Sequence, residues 1–219
     1  MTISRKQLFI GGCVLGVALL ASGTVLVGRL VGGERKPTEK RPSVKAKHVI
    51  NGHYVKLNRN DRLVYAGIRA PYENEPFYEE AKLRNAELVE GKKLRLRFEE
   101  HVFRNRKGRL FAYAFVDGLF VNETMVREGL AFVRLTPDTL RYADALLAAQ
   151  AKARRSKRGI WSRMSKSDEH RYPADPKYGE FHRPACEVVP RIKPERRVEL
   201  KSKREAFNQG LAPCNKCLP

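Results

Sequence analysis

The sequence predicts a small β-barrel with interleaved helices (an α+β fold), followed by a compact metal-stapled α+β module and preceded by one membrane-spanning helix. Three observations predict it. Between His48 and Trp161, short apolar or alternating runs bounded by turn residues are interleaved with segments of helical spacing. Near the carboxyl end, His182, Cys186, Cys214 and Cys217 form two close pairs of soft ligands with a loop between them. At the other end, Leu8 to Val31 carries one charge, Arg29.

The amino-terminal run comes first. Leu8 to Gly28 is about long enough to cross a hydrocarbon core of ~30 Å as a helix. Ala21-Ser22-Gly23 also resembles the cleavage site of an export signal. Apolar residues continue through Val25, Leu26 and Val27, which favours a retained single-pass anchor at residues 1–33. Arg29, Arg35, Lys36, Lys40, Arg41, Lys45 and Lys47 follow the run, against Arg5 and Lys6 before it. The positive-inside rule then favours a cytoplasmic carboxyl side, while the short basic head before the apolar run also resembles an export signal, so the side stays open; the membrane is a partner through this helix. Residues 34–47, with two prolines and almost no apolar side chains, read as a solvated tether.

Residues 48–162 carry the barrel pattern. Val55 to Leu57 and Leu63 to Ile68 are strand-like, with Asn58 to Asp61 as the turn between them. Pro71 to Pro76 breaks the pattern. Phe77 to Val89 has Ala81, Leu83, Ala86, Leu88 and Val89 at helical spacing and is stopped by Gly91. Leu94 to Phe98 alternates, so one face is buried and the other basic. Leu110 to Val116 is a further strand closed by Asp117-Gly118, a hairpin dipeptide. Asn122 is positioned to cap a short helix that Gly129 stops. Leu140 to Lys152 is an alanine-rich helix, and Ile160-Trp161 packs its far end onto the barrel. Five short strands with interleaved helices fit a barrel of the OB type.

The chain of 219 residues carries a formal charge of +20, which points to a polyanionic partner, nucleic acid or an anionic lipid surface. Arg104-Asn105-Arg106-Lys107-Gly108-Arg109 and Lys152-Ala153-Arg154-Arg155-Ser156-Lys157-Arg158 are the densest basic runs. They read as a phosphate-backbone track, with solvated loops and helix ends as the plainer alternative. Phe103, Phe111 and Tyr113 are candidates for base stacking, the last two also for barrel core.

Five ordered segments of this domain resemble the staphylococcal-nuclease-like (thermonuclease) family. They are Val49-Ile50-Asn51-Gly52-His53-Tyr54-Val55-Lys56-Leu57, Ala66-Gly67-Ile68-Arg69-Ala70-Pro71, Lys107-Gly108-Arg109-Leu110-Phe111-Ala112-Tyr113, Phe120-Val121-Asn122-Glu123 with Val126-Arg127-Glu128-Gly129-Leu130-Ala131, and Gly159-Ile160-Trp161. The resemblance implies an OB-type barrel and calcium-dependent cleavage of nucleic-acid phosphodiesters. It also marks departures. His53 and Arg69 stand where the family has calcium-binding aspartates, and Ala70 stands at its threonine. Tyr72 replaces the glutamate general base. Of two phosphate-binding arginines, one position is Val64 and the other Arg109. Calcium takes six to eight oxygen ligands, and a guanidinium at a ligand position repels it, so calcium is not expected. A tyrosine, with an ordinary pKa of about 10, is a poor base at neutral pH.

These departures predict a degenerate barrel that binds nucleic acid. Arg69 and Arg109 would cradle a phosphate, helped by Arg104, Arg106 and Lys107. One alternative is an active metal-dependent endonuclease in which Arg109 acts with Arg62, on the same strand face as Val64, and with a displaced carboxylate, Glu73 or Glu75. The other is a scaffold that binds a protein or a membrane surface.

The last segment, 178–219, follows an expected linker at 163–177. A fifty-residue module cannot bury enough apolar surface alone, so a metal staple is expected, with zinc as a structural ion on His182, Cys186, Cys214 and Cys217. A disulfide between two of the three thiols is the alternative. Phe181-His182-Arg183-Pro184-Ala185-Cys186, Lys201-Ser202-Lys203-Arg204-Glu205-Ala206 and Gly210-Leu211-Ala212-Pro213-Cys214-Asn215-Lys216-Cys217 resemble the zinc module at the head of the Ada methyl-phosphotriester repair protein. That family uses four cysteines, the first a methyl acceptor. Here that position is His182, which implies a closed structural site without methyl transfer.

Overall fold

A computed structural model describes residues 43–164 and 170–218. The strands are β1 (Ser43–Asn51), β2 (Tyr54–Leu57), β3 (Arg62–Tyr65), β4 (Ile68–Arg69), β5 (Lys93–Arg97), β6 (Leu110–Val116), β7 (Leu119–Phe120), β8 (Phe132–Val133), β9 (Tyr172–Asp175), β10 (Glu180–Phe181), β11 (Val198–Leu200) and β12 (Ala212–Pro213). The helices are α1 (Tyr78–Val89), α2 (Val121–Arg127), α3 (Ala143–Arg155) and α4 (Lys203–Asn208).

One sheet runs β3-β2-β1-β5-β6-β7. A parallel pairing of β3 with β6, with Leu63 opposite Leu110 and Tyr65 opposite Ala112, closes it into a five-stranded barrel. Val49, Val55, Leu57, Leu63, Tyr65, Leu94 and Tyr113 fill the interior together with Met125 of α2 and Leu146 of α3. Alternation sets which side chains enter: along β5, Leu94 is buried while Lys93 and Arg95 are exposed.

Two local expectations change. Ser43 to Lys47, expected in the tether, begins β1: Ser43 to Lys45 pair with β5, and Ala46, opposite Leu57 of β2, is buried. Asn122 lies inside α2 and does not cap it. Its Oδ1 accepts the Ala114 N–H at 3.0 Å and its Nδ2 donates to the Ala66 carbonyl at 2.8 Å, so this buried amide latches α2 to the barrel wall. Buried amides are kept where both ends find partners.

The carboxyl-terminal strands form a second sheet, β11-β9-β10-β12. Its first strand starts at Tyr172, inside the segment expected as a linker. This part is packed on the barrel domain: Phe132, Ala153, Ile160 and Trp161 share one apolar cluster with Tyr172, Phe181, Phe207 and Leu211. Polar bonds stitch the same seam. Gln150 accepts the Val133 N–H at 2.8 Å and donates to the Phe207 carbonyl at 2.8 Å, and Leu135 N–H donates to the Gly210 carbonyl at 2.7 Å. Gly179 is required there: its φ is +64°, and a Cβ would lie 2.3 Å from the Leu135 carbonyl oxygen.

The expected single-pass membrane location is corrected. No helix among the described residues is long and apolar enough to cross a membrane. The run Leu8 to Gly28, on which that expectation rested, lies outside the described residues.

Candidate nucleic-acid interface and metal centre

Strand β4 delivers Arg69 to the positions that the resemblance assigns to calcium. There the side chain turns inward and is 1% exposed. Its Nη1 donates to Glu75 Oε2 at 2.6 Å, and its Nη2 donates to the Pro213 carbonyl at 2.8 Å. The guanidinium lies between the rings of Tyr72 and Phe132, 5.1 and 5.0 Å from their centroids. Arg69 is therefore a buried tie between barrel and carboxyl-terminal sheet, and the expectation that it contacts a phosphate is corrected. Glu75 is consumed by the same pair, which removes it as a displaced base. Glu73 stays exposed beside it.

The residues around Arg69 do not fit calcium. Arg69 and Glu75 neutralise each other, and His53, Ala70 and Tyr72 offer no carboxylate. His53 is buried, and its Nδ1 accepts the Ala70 N–H at 3.2 Å, which leaves the ring proton on Nε2. Burial, and then the Arg69 and Arg134 charges, push its pKa down to about 3. A neutral imidazole with its lone pair engaged is not a general base.

Arg109 has a different setting. It is half-buried on the outer sheet face, its guanidinium 4.5 Å from the centroid of Tyr54. Arg62 donates to the hydroxyl of the same Tyr54 at 3.3 Å. The β2–β3 register, with Tyr54 opposite Val64 and Lys56 opposite Arg62, produces this convergence. Below it, Asn105 Oδ1 accepts the N–H groups of Lys107 and Arg109 at 3.0 and 3.2 Å and shapes the basic loop. Arg104 braces that loop through Asp61 at 3.0 Å and the Gly108 carbonyl at 2.6 Å.

A groove of about 300 Å³ opens beside this loop. Arg104, Arg106, Lys107 and Phe111 line it, and Arg134, Lys177 and Tyr178 join them. The last three were missed. They come from the residue after β8 and from the turn before β10, and only the seam between the two sheets brings them to the basic loop. Asp138 is the carboxylate in the lining. Tyr113 is fully buried, so its expected alternative as barrel core holds, while Phe103 is 56% exposed. The second basic run divides: Arg154 reaches into the seam to Asn208 Oδ1 at 2.9 Å, while Lys152, Arg155, Lys157 and Arg158 face solvent.

The four soft ligands converge. The ligand atoms of His182, Cys186, Cys214 and Cys217 all lie within 4.8 Å of one another, and no other group of three or more such ligands occurs among the described residues. Cys186, Cys214 and Cys217 are free thiols, so the disulfide alternative is not adopted. Backbone N–H groups of Arg183 and Lys216 point at Cys217 and Cys214 sulfurs, each at 3.3 Å. Hydrogen bonding from Cys217 first, with His182 and backbone N–H groups adding to it, holds the Cys214 thiol well below its ordinary range. Three sulfurs and one imidazole, mutually close and buried except for the half-buried Cys217, fit a soft tetrahedral ion, whose metal–sulfur bonds of ~2.3 Å need donors in mutual contact.

Comparison with known proteins relates this closed barrel, with its basic groove, to nuclease-fold proteins. The family model described as Staphylococcal nuclease homologue matches residues 62–163. The chain is 34% identical over 139 residues to Endonuclease YncB of Bacillus subtilis, covering 58% of this chain and 65% of that protein. It is 42% identical over 91 residues to the SPbeta prophage-derived endonuclease YokF of Bacillus subtilis, covering 41% of this chain and 30% of that protein. Thermonuclease of Staphylococcus hyicus is 28% identical over 88 residues, 40% of this chain and 52% of that protein. The chain thus spans less than two thirds of the length of each of these relatives. Residues 62–163 of this chain thus match a staphylococcal-nuclease-like domain.

Proposed function

We propose that this protein binds nucleic acid through the groove and the Arg109 face, and that its barrel no longer hydrolyses phosphodiesters with calcium. One observation carries this reading: a buried Arg69–Glu75 ion pair occupies the seat where calcium and its carboxylates would be needed. Breaking that pair to admit a cation leaves an uncompensated buried charge, at a cost of about 3–5 kcal/mol. The groove supplies cations and aromatic faces but one carboxylate, which suits phosphate and base contacts better than activation of water. Zinc is the structural ion we assign to His182, Cys186, Cys214 and Cys217. Incubating the protein with single- and double-stranded DNA and RNA, with calcium, magnesium or zinc, tests the reading. Salt-sensitive retention without strand scission is the expected result.

The names of the relatives support a second reading. YncB and YokF are endonucleases. On that reading Arg109 and Arg62, joined at Tyr54, hold the scissile phosphate, and exposed Glu73 supplies the carboxylate. Metal-dependent cleavage lost on Glu73→Gln would favour it.

A further inference from the structure

The turn that carries Lys177 and Tyr178 is tied to the metal-ligand cluster by two paired strands. β10 follows the turn and leads directly into His182, and β12 leads directly into Cys214. The two strands run parallel, Glu180 opposite Ala212 and Phe181 opposite Pro213, so their carboxyl ends deliver two of the four ligands side by side. The Cys214 N–H also donates to the Phe181 carbonyl at 2.9 Å. A metal bridging His182 and Cys214 clasps this pair at one end, and the groove-lining turn lies at the other.

The turn holds an aromatic ring in the lining of the groove. Asp175 is buried; its Oδ1 accepts the Lys177 N–H at 3.1 Å, and its Oδ2 pairs with Arg196 at 3.2 Å. Tyr178 is held at both ends and still 39% exposed. Arg134 Nε donates to its carbonyl at 2.9 Å, and Arg106 Nη1 donates to its hydroxyl at 3.0 Å. The Arg106 and Arg196 guanidinium carbons lie 4.9 and 5.5 Å from its ring centroid. A partly exposed ring held among cations in the lining of the groove suits a stacked base flanked by its phosphate. A paired base has both faces covered by its neighbours and is not available to it.

We infer that the Cys3His module forms one wall of the groove, that Tyr178 is the stacking platform for an unpaired base, and that metal occupancy of the module controls single-stranded nucleic-acid binding. This inference rests on the reading of the groove as a nucleic-acid interface. The mechanism is mechanical: losing the metal frees the ends of β10 and β12, the turn loses its fixed position, and the groove loses Lys177 and Tyr178. Trp161, the single tryptophan of the chain, reports the seam, since its ring lies 4.9 Å from that of Phe207 on α4.

The test uses the zinc-loaded full chain, a dye-labelled single-stranded oligothymidylate and a duplex of equal length. Binding is read by fluorescence anisotropy, and Trp161 emission is followed on the same samples. Chelation should weaken oligothymidylate binding at least tenfold, shift Trp161 emission to the red, and be reversed by added zinc. Tyr178→Ala should weaken oligothymidylate binding about tenfold in the zinc-loaded protein, leave duplex binding unchanged, and leave the salt dependence intact. Tyr178→Phe should stay within about twofold, because the stack survives. If chelation unfolds the chain outright, the zinc-loaded Tyr178→Ala protein still decides the platform. Full single-strand affinity in the metal-free protein, or in Tyr178→Ala, would overturn the inference while leaving the nucleic-acid reading in place. A zinc-loaded wild-type protein that binds neither probe would overturn both.

Discussion

Arg69 on β4 and Arg109 at the start of β6 do opposite things. Arg69 enters the core, gives its charge to Glu75 and a hydrogen bond to Pro213, and holds two sheets together. Arg109 stays on the outer face against Tyr54, beside Arg62, with part of its guanidinium open to solvent. The same side chain serves stability where it is desolvated and paired, and ligand binding where it is accessible. The barrel thus holds one arginine as structure and leaves the other accessible.

The largest expected effect breaks the buried half. Arg69→Met should destabilise the protein by about 3–5 kcal/mol in urea unfolding, because Glu75 is left charged and unpaired. Adding Glu75→Leu should restore most of that loss; if both variants are equally unstable, the pair is not the tie described here. The same pocket predicts a pH response. His53 has a folded pKa of about 3 against an ordinary 6.5, so below 6.5 the unfolded chain takes up a proton that the folded chain refuses. Its contribution is therefore complete above pH 6.5 and is lost as pH falls toward 3, by at most about 1.4 kcal/mol per unit. Thermal melts from pH 7.5 to 4.5 should steepen on the acid side, and His53→Asn should flatten them.

Effects on the accessible half should be smaller and should spare the fold. Arg109→Ala should change stability by less than about 0.5 kcal/mol while weakening nucleic-acid binding and lowering the salt slope by about one. Arg62→Ala should act in the same direction and more weakly, since Arg62 reaches the site only through the Tyr54 hydroxyl. Loss of stability in Arg109→Ala comparable to that of Arg69→Met would erase the contrast between the two arginines.

The barrel was legible because its information is local. Alternation, glycine stops and the Asp117-Gly118 turn, with φ of +48° and +87°, each specify a few neighbouring residues. The ligand cluster was legible because cysteine is rare in the chain and its spacing is chemical. The role of Arg69 was not, because its partners lie 6 and 144 residues away and the second is a backbone carbonyl with no side-chain signature. Tyr178 and Arg134 were missed for the same reason: the docking of two sheets creates their neighbourhood. Ser43 to Lys47 read as a tether because its charges dominate, yet a single buried residue, Ala46, is enough to orient that strand edge on the barrel.

The central claim is that a buried ion pair has replaced the catalytic cation seat. Incubating the purified, zinc-loaded protein with labelled single-stranded DNA in calcium, at low and moderate salt, tests it most directly. Retention of intact strands that falls steeply with salt is the predicted result; calcium-dependent scission abolished by Arg109→Ala would contradict it.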